Sequence, residues 1–247
     1  MSAIRWLSAG ADVDAFPPPD EALEEPNGLL AAGGDLRPER LLLAYRCGIF
    51  PWYERGQPIL WWCPDPRAVL FPPSLKVSRS LRRVVRRGEF EITADSAFDD
   101  VVEGCAAPRR YGADTWITDE MRIAYSRLHR LGFAHSFEAW RDGRLAGGLY
   151  GVAIGAVFFG ESMFARATNA SKAAFVAAVR YLEARSFALI DCQVASAHLS
   201  SLGAVDLPRT KFLRLLSKLC ERPDRRGRWT ADFAEWAAAR RRSAGGE

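Results

Sequence analysis

The stretch AHSFEAWRDGRLAGGLYGVAIGAVFFGESMFARATNASKAAFVAAVRYLEARSFALIDCQV, residues 134–194, decides the fold. Three apolar segments open it: AHSFEAW (134–140), RLAGGLYGVA (144–153) and AVFFGESMFA (156–165). Asp142-Gly143, between the first two, is a strong hairpin signal, because the tight two-residue turn needs positive φ at both positions. Ile154-Gly155 is a weaker one between the second and third. Asn169-Ala170-Ser171 then opens a helix to about Arg185, with Asn169 or Ser171 standing at its cap. FALIDCQV (187–194) follows as a short apolar run, the pattern of a buried strand. Antiparallel strands, a helix, a strand and a further helix after Pro208 to about Cys220 predict a mixed α+β domain.

Upstream of this block the signals are shorter. Residues 1 to about 70 are rich in Pro, Gly and Trp and read mostly as turns and irregular structure. RPERLLLAYRCGIFPW (37–52) carries a short helix, with Pro38 in its first turn and Gly48 as its stop. Ala68–Phe71 reads as a strand ended by Pro72-Pro73. Ser78 or Ser80 caps a helix through Arg87 that Gly88 ends. EFEIT (89–93) alternates as a strand does, Phe98–Cys105 is a short helix, and Thr118 starts an amphipathic helix to Leu131 that Gly132 stops. The expected division is an N-terminal Pro/Trp-rich segment, 1–67, belonging to a smaller α+β unit that continues to about 110. A second domain, 111–221, follows, and then an Arg/Ala-rich tail, 222–247, either a loosely held helix (Ala231 to Arg242) or frayed.

Composition excludes several classes. The chain has 247 residues, 49% hydrophobic and 26% charged, the balance of a soluble globular protein able to bury a core without disulfides or a structural metal. Its five cysteines are an odd number with no CxxC pair, which speaks against a disulfide framework or a common zinc site and for a reducing compartment. The first 20 residues hold no apolar core of signal-peptide length. The longest uncharged run, Leu145–Gly160, is shorter than the roughly 20 residues of a membrane helix and is punctuated by glycines. The net charge of +4 hides a skew: 30 of the 34 basic residues are Arg, whose planar fork suits phosphate.

Four segments carry candidate chemistry. KVSRSLRRVVRR (76–87) holds six bases, Lys76, Arg79, Arg82, Arg83, Arg86 and Arg87, and no acid. On a helix Val77, Leu81, Val84 and Val85 share one side and most bases the other, so this is either a phosphate-tracking face or a solvated one whose like charges repel. Trp52, Trp61, Trp62 and Trp116 are core residues or, in loop-like FPWYERGQPILWWCPDPR, a stacking wall. Glu161 ends an apolar strand, where an acid either binds a cationic group or forms a rim salt bridge. Asp191 and Gln193 are two apart, so on a strand they share a face, and two polar groups in a buried strand are costly unless bonded or used. Both a satisfied network and a proton-handling pair fit them. Cys192 points the other way and reads as core. His129, His135 and His198 fit no metal or triad spacing, and P-loop, GxGxxG and HExxH patterns are absent.

Taken together, NGLLAAGGDL, GIFPWY, ILWWCPDPRAVL, SRSLRR, GGLYG, GESMF, NASK, LIDCQ and LGAVDLPR, in this order between Phe16 and Leu216, resemble the leucyl/phenylalanyl-tRNA–protein transferases. The resemblance implies a bacterial, cytoplasmic enzyme, expected to act as a monomer, with a small N-terminal α+β domain and a C-terminal GNAT-like acyltransferase domain. It implies transfer of Leu or Phe, Met less well, from aminoacyl-tRNA to proteins with an N-terminal Arg or Lys, marking them for degradation. By the same resemblance Asp191 and Gln193 are catalytic, and Glu161 lies near the acceptor's N-terminus. Trp52 and Trp116 hold the 3′-terminal adenosine, Leu149, Phe158 and Met163 line the aminoacyl pocket, and the 76–87 helix is the tRNA surface. Aminoacyl-tRNA is an activated ester, so no cofactor and no metal are expected. Asp191 is expected to orient the acceptor amine, directly or through Gln193. The tail after Arg222 lies outside the family pattern. Two rivals stand beside this reading. An acetyl-CoA N-acetyltransferase would show an Arg/Gln-x-x-Gly-x-Gly/Ala loop, and Arg144-Leu145-Ala146-Gly147-Gly148 lacks that spacing. A non-catalytic tRNA-binding protein would explain the bases and tryptophans but not Asp191, Gln193 and Glu161.

Overall fold

The computed structural model describes residues 4–107 and 117–244. The chain order begins with β1 (Arg5–Leu7), β2 (Leu29–Gly33), α1 (Pro38–Arg46), β3 (Phe50–Pro51), β4 (Leu60–Trp62) and β5 (Arg67–Leu70). It continues through α2 (Arg79–Arg87), β6 (Glu91–Ala94), α3 (Phe98–Ala106), α4 (Asp119–Arg130), β7 (Ala134–Arg141), β8 (Arg144–Ile154) and β9 (Val157–Ala165). It closes with α5 (Ala170–Ala184), β10 (Leu189–Gln193), α6 (Ala197–Ser201), β11 (Val205–Leu207), α7 (Arg209–Cys220) and α8 (Thr230–Ala244). Two sheets result, one of order β1-β2-β4-β3 and one of order β11-β5-β10-β9-β8-β7-β6. This is the α+β class expected from the sequence.

The local rules explain most elements. Ser78 accepts the Leu81 N–H at the start of α2 and Gly88 closes it in the left-handed region; Thr118 accepts the Met121 N–H at the start of α4. Asp142 and Gly143 both take positive φ and make the β7–β8 turn. Asn169 stands at the N-terminus of α5 with φ 68° and no side-chain cap, so it serves α5 by its backbone shape and not as the hydrogen-bonding cap expected.

Strand alternation divides the larger sheet between two cores. Tyr150, Val152, Val157, Phe159 and Leu189 face a cluster shared with Leu30, Ala31 and Trp61 of the small sheet and with α1, α4 and α7. Leu149, Ala153, Phe158 and Ile190 face the other way, onto α5 and α2. The small sheet therefore packs on the large one without a core of its own. β5 pairs antiparallel with both β10 and β11, and β6 pairs with β7, so both belong to the larger sheet.

The tail also differs from expectation. Trp229 and Phe233 are 3% and 2% exposed and sit in the α5-side core. Trp229 stacks on His135 with ring centroids 3.5 Å apart, and its backbone N–H donates to Asp95 at 2.8 Å. Asp232 of α8 grips Arg185 at 2.6 Å and accepts from Tyr181 at 2.6 Å. The apolar residues of the tail, diluted among arginines in the sequence, hold α8 on the domain.

Candidate active site

β9 and β10 run parallel with Val157, Phe158 and Phe159 opposite Leu189, Ile190 and Asp191, and there the pairing stops. Beyond it the strands part around a cavity of about 270 Å³, lined by Gly160, Glu161, Ser162 and Met163 on one side and Cys192 and Gln193 on the other. Phe175, Ala178, Val179 and Leu182 of α5 close it from one side, with Leu149, Phe158 and Ile190 beside them. At about 270 Å³ it lies just below the roughly 300–1,000 Å³ range of small-ligand pockets. Gly151 helps to shape it: a Cβ there would stand 2.7 Å from the Phe158 ring and 2.2 Å from the Phe159 carbonyl, so only glycine lets Phe158 close the pocket.

The same alternation that sends Phe158 toward α5 sends Glu161 toward α1 and α4. Tyr45 donates to Glu161 Oε1 at 2.8 Å and Tyr125 to Oε2 at 2.7 Å, while the two tyrosine hydroxyls lie 2.5 Å apart. Gln193 Nε2 donates to Oε1 at 2.9 Å. Burial pushes the Glu161 carboxyl up to about 7, against the pull of the tyrosine hydroxyls. Burial also drives Tyr45 and Tyr125 well above the ordinary tyrosine value, so both remain donors.

Asp191 is fully buried, and so is its partner Arg67. Arg67 grips it with both arms, Nε to Oδ1 at 2.8 Å and Nη2 to Oδ2 at 2.7 Å. Arg67 Nη1 donates to the Gly48 carbonyl at 3.0 Å, and the guanidinium lies over the Phe50 and Phe212 rings at 4.8 and 4.7 Å. Asp191 accepts a third hydrogen bond from the Gln193 N–H at 2.9 Å. That bond changes the expected geometry. Gln193 takes φ 62°, and the pairing with β5 slips between Asp191 and Gln193, so the two do not share a strand face. A side chain that bonds the backbone two residues on turns the chain locally. Here it aims the Gln193 amide at Glu161.

The other candidates fall as follows. Leu149, Phe158 and Met163 line the cavity. Cys192 lines it too, and burial pushes its thiol well above the ordinary range, which suits neither a nucleophile nor a metal ligand. Trp61 is core, its indole donating to Gly33. Trp52 is 45% exposed, beside Trp62 with centroids 5.6 Å apart, and is not part of the cavity wall; Trp116 lies outside the described residues. Lys76, Arg79, Arg82, Arg83, Arg86 and Arg87 are all exposed, with one long approach to an acid, Arg87 to Glu89 at 4.0 Å. Among the described residues no group of three or more His, Cys, Asp or Glu could hold a metal, and no helix is long and apolar enough to cross a membrane. The five cysteines are free thiols.

Sequence reasoning missed Arg67, Tyr45 and Tyr125. Arg67 had a signal: it heads RAVL, a strand otherwise apolar. The tyrosines had none, since they lie on the buried faces of amphipathic helices where core is the default.

Known proteins resemble this chain over most of its length. A family model described as leucyl/phenylalanyl-tRNA protein transferase matches residues 69–217, and the model of that family's N-terminal domain matches residues 34–65. The leucyl/phenylalanyl-tRNA–protein transferase of Stutzerimonas stutzeri (strain A1501) is 58% identical over 220 residues, 89% of this chain and 96% of that protein. The one of Nitrosospira multiformis is 57% identical over 232 residues, 94% of this chain and 99% of that protein. Solved structures are more distant. A GCN5-related N-acetyltransferase from Kribbella flavida has a TM-score of 0.34 at 15% identity, covering 70% of this chain and 61% of its own. L-PGS from Bacillus licheniformis has a TM-score of 0.37 at 10% identity, covering 68% and 53%. On the strength of the two family-model matches and the full-length relatives, this chain belongs to the leucyl/phenylalanyl-tRNA protein transferase family.

Proposed function

We propose that this chain transfers leucine or phenylalanine, and methionine less well, from aminoacyl-tRNA to proteins that begin with Arg or Lys, marking them for degradation. It does so in the cytoplasm as a monomer. The observation that carries the proposal is the juxtaposition at the fork of β9 and β10: an apolar cavity of about 270 Å³ beside a buried carboxyl with a pKa of about 7. The donor side chain enters the cavity against Leu149, Phe158 and Met163. Selection by apolar fit discriminates by only about 1–3 kcal/mol per methylene, which suits a site that takes Leu and Phe and admits Met.

The chemistry exchanges an ester for an amide. The acceptor's α-amine attacks the ester carbonyl; a C–N bond forms, the bond to the ribose oxygen breaks, and the proton lost by nitrogen ends on that oxygen. The amine must be neutral, and its ordinary pKa of about 7.7–8.0 leaves a minority in that form at pH 7. Glu161 receives the cationic chain end and, being near half-charged at neutral pH, is matched to take a proton from it. Gln193 lines the cavity beside Glu161, where its amide carbonyl can accept from the amine while its NH₂ holds Glu161. Asp191 serves as a positioning residue. Both its oxygens are occupied by Arg67, and its hold on the Gln193 backbone keeps the amide aimed, which favours action through Gln193 over direct contact. Bringing amine and ester together supplies up to roughly 7–11 kcal/mol in favourable cases. Trp52, with Trp116, receives the terminal adenosine by stacking, and the α2 arginines track the tRNA backbone.

The test is a transfer assay with labelled Leu-, Phe- and Met-tRNA against peptides led by Arg, Lys and Ala. Label is expected on the Arg and Lys peptides from Leu and Phe donors, less from Met, and none on Ala. Transfer to all three peptides alike would overturn the acceptor assignment. Absence of transfer, with tRNA still bound, would favour the non-catalytic rival.

A further inference from the structure

The basic strip of α2 does not end at α2. That helix packs on α5 through Leu81 and Val84, and α8 packs on α5 through Trp236, whose ring lies 5.5 Å from Tyr181. Arg180 projects from α5 half-buried. Burial lowers its pKa, and the next causes are the charges of Arg240 on α8 and Arg82 on α2, so three helices bring arginines within electrostatic reach of one another. Of the acids near these helices, Glu89 lies 4.0 Å from Arg87, Asp232 pairs with Arg185 at 2.6 Å and Arg225 at 3.0 Å, and Glu235 of α8 is exposed. Glu183 attracts Arg180 along α5 without forming an ion pair. Arg240 is not a loose surface charge, because its guanidinium stacks over Trp236 at 5.4 Å and Trp236 is held by Phe233 at 5.3 Å. Arg241 and Arg242 follow it, exposed. The negative end of the helix macrodipole accounts for arginines in the last turn of α8. It does not account for Arg180 of α5, which lies within electrostatic reach of Arg240 and Arg82.

We infer that Arg180, Arg240, Arg241 and Arg242 extend the α2 surface into one continuous phosphate-binding track, so that the C-terminal helix grips the body of the donor tRNA through its backbone. This surface presupposes the aminoacyl-tRNA donor proposed above. Its α8 residues, Arg240, Arg241 and Arg242, lie beyond residue 217, where the family-model match ends, and add a second tRNA-binding element to the α2 helix. A stacked, planar guanidinium is suited to bidentate phosphate binding and carries no base readout.

The experiment uses the full chain and its triple variant Arg240→Gln/Arg241→Gln/Arg242→Gln, with Arg82→Gln/Arg83→Gln/Arg86→Gln as the α2 control. Deacylated full-length tRNA is titrated across a salt series, and single-turnover transfer is followed from Phe-tRNA and from phenylalanyl-adenosine, which lacks the tRNA body. The α8 triple is expected to bind tRNA about tenfold more weakly at low salt, with the log–log salt slope reduced by roughly 0.7–0.9 for each phosphate no longer neutralised. Its transfer from phenylalanyl-adenosine stays at the parent rate, and the matching triple Lys variant recovers most of the affinity. Parent-like affinity and slope in the α8 triple, with a weakened α2 triple, overturns the inference and leaves the aminoacyl-tRNA reading intact. Parent-like behaviour in both triples overturns the tRNA surface altogether. Loss of phenylalanyl-adenosine transfer in the α8 triple marks a folding effect and also overturns the inference.

Discussion

A carboxyl that accepts three hydrogen bonds and is still pushed up to about 7 has lost more to burial than it gains from its donors, and that imbalance is measurable. Because the folded Glu161 holds its proton more tightly than an ordinary glutamate at 4.5, its ionisation opposes folding. Its effect on stability is absent below about pH 4.5, grows as pH rises and levels off above about pH 7. Glu161→Gln is therefore expected to gain stability relative to the parent as pH goes from 5 to 8, by about 1–3 kcal/mol, in paired urea titrations. It is also expected to lose the rise of transfer rate with pH through 7. Asp191 instead has a buried cationic partner, Arg67. Asp191→Asn strands the Arg67 charge in the core, at a cost of about 3–5 kcal/mol, whereas Gln193→Ala, half-exposed, leaves the urea midpoint nearly unchanged and lowers the transfer rate about 100-fold. Equal midpoints for Asp191→Asn and parent would contradict the buried pair. At this scale the sequence yielded the acids and the amide but not their partners. Residue spacing names a strand face, and it could not show that a side-chain bond to the Gln193 N–H breaks that alternation.

Elements bounded by their own chemistry were legible: α2 between Ser78 and Gly88, α4 after Thr118, and the β7–β8 turn at Asp142-Gly143. Those bounded by tertiary packing were not. β1, β3 and β4 are two or three residues long and owe their pairing to neighbours far along the chain, while Pro and Gly dominate the local signal. The C-terminal helix is the clearest case. Its anchor lies at Asp95, which burial raises but which hydrogen bonds from His135, Trp229 and Ser136 hold below the ordinary carboxylate value. None of those bonds is local. Trp229→Ala removes a ring stacked on His135 and packed against Phe137 and Phe187, so a loss of about 3–5 kcal/mol is expected, with limited proteolysis then cutting near residue 229. A variant as stable as the parent would mean that α8 is not docked.

The two faces of the larger sheet give the whole molecule its logic. One face builds a core with the small sheet and carries Tyr45, Tyr125 and Arg67 to the polar groups. The other takes α5, whose apolar residues meet the cavity and on which α2 packs with its exposed arginines. On the reading proposed above, tRNA binding weakens steeply with salt while the reaction of a short donor does not, because the exposed arginines lie on α2 and α8 and the cavity lies at the fork. A salt titration of tRNA affinity beside phenylalanyl-adenosine transfer checks this. The sequence named candidate residues on β9 and β10 but not the fork between them, since a fork is defined by where two strands distant in the chain stop pairing. The most direct measurement is a crystal structure with phenylalanyl-adenosine linked by an amide in place of the ester. The benzyl group is predicted to sit between Leu149, Phe158 and Met163, with its carbonyl within hydrogen-bonding reach of Gln193. A ring bound elsewhere on the surface, with the cavity between β9 and β10 left empty, would contradict the account.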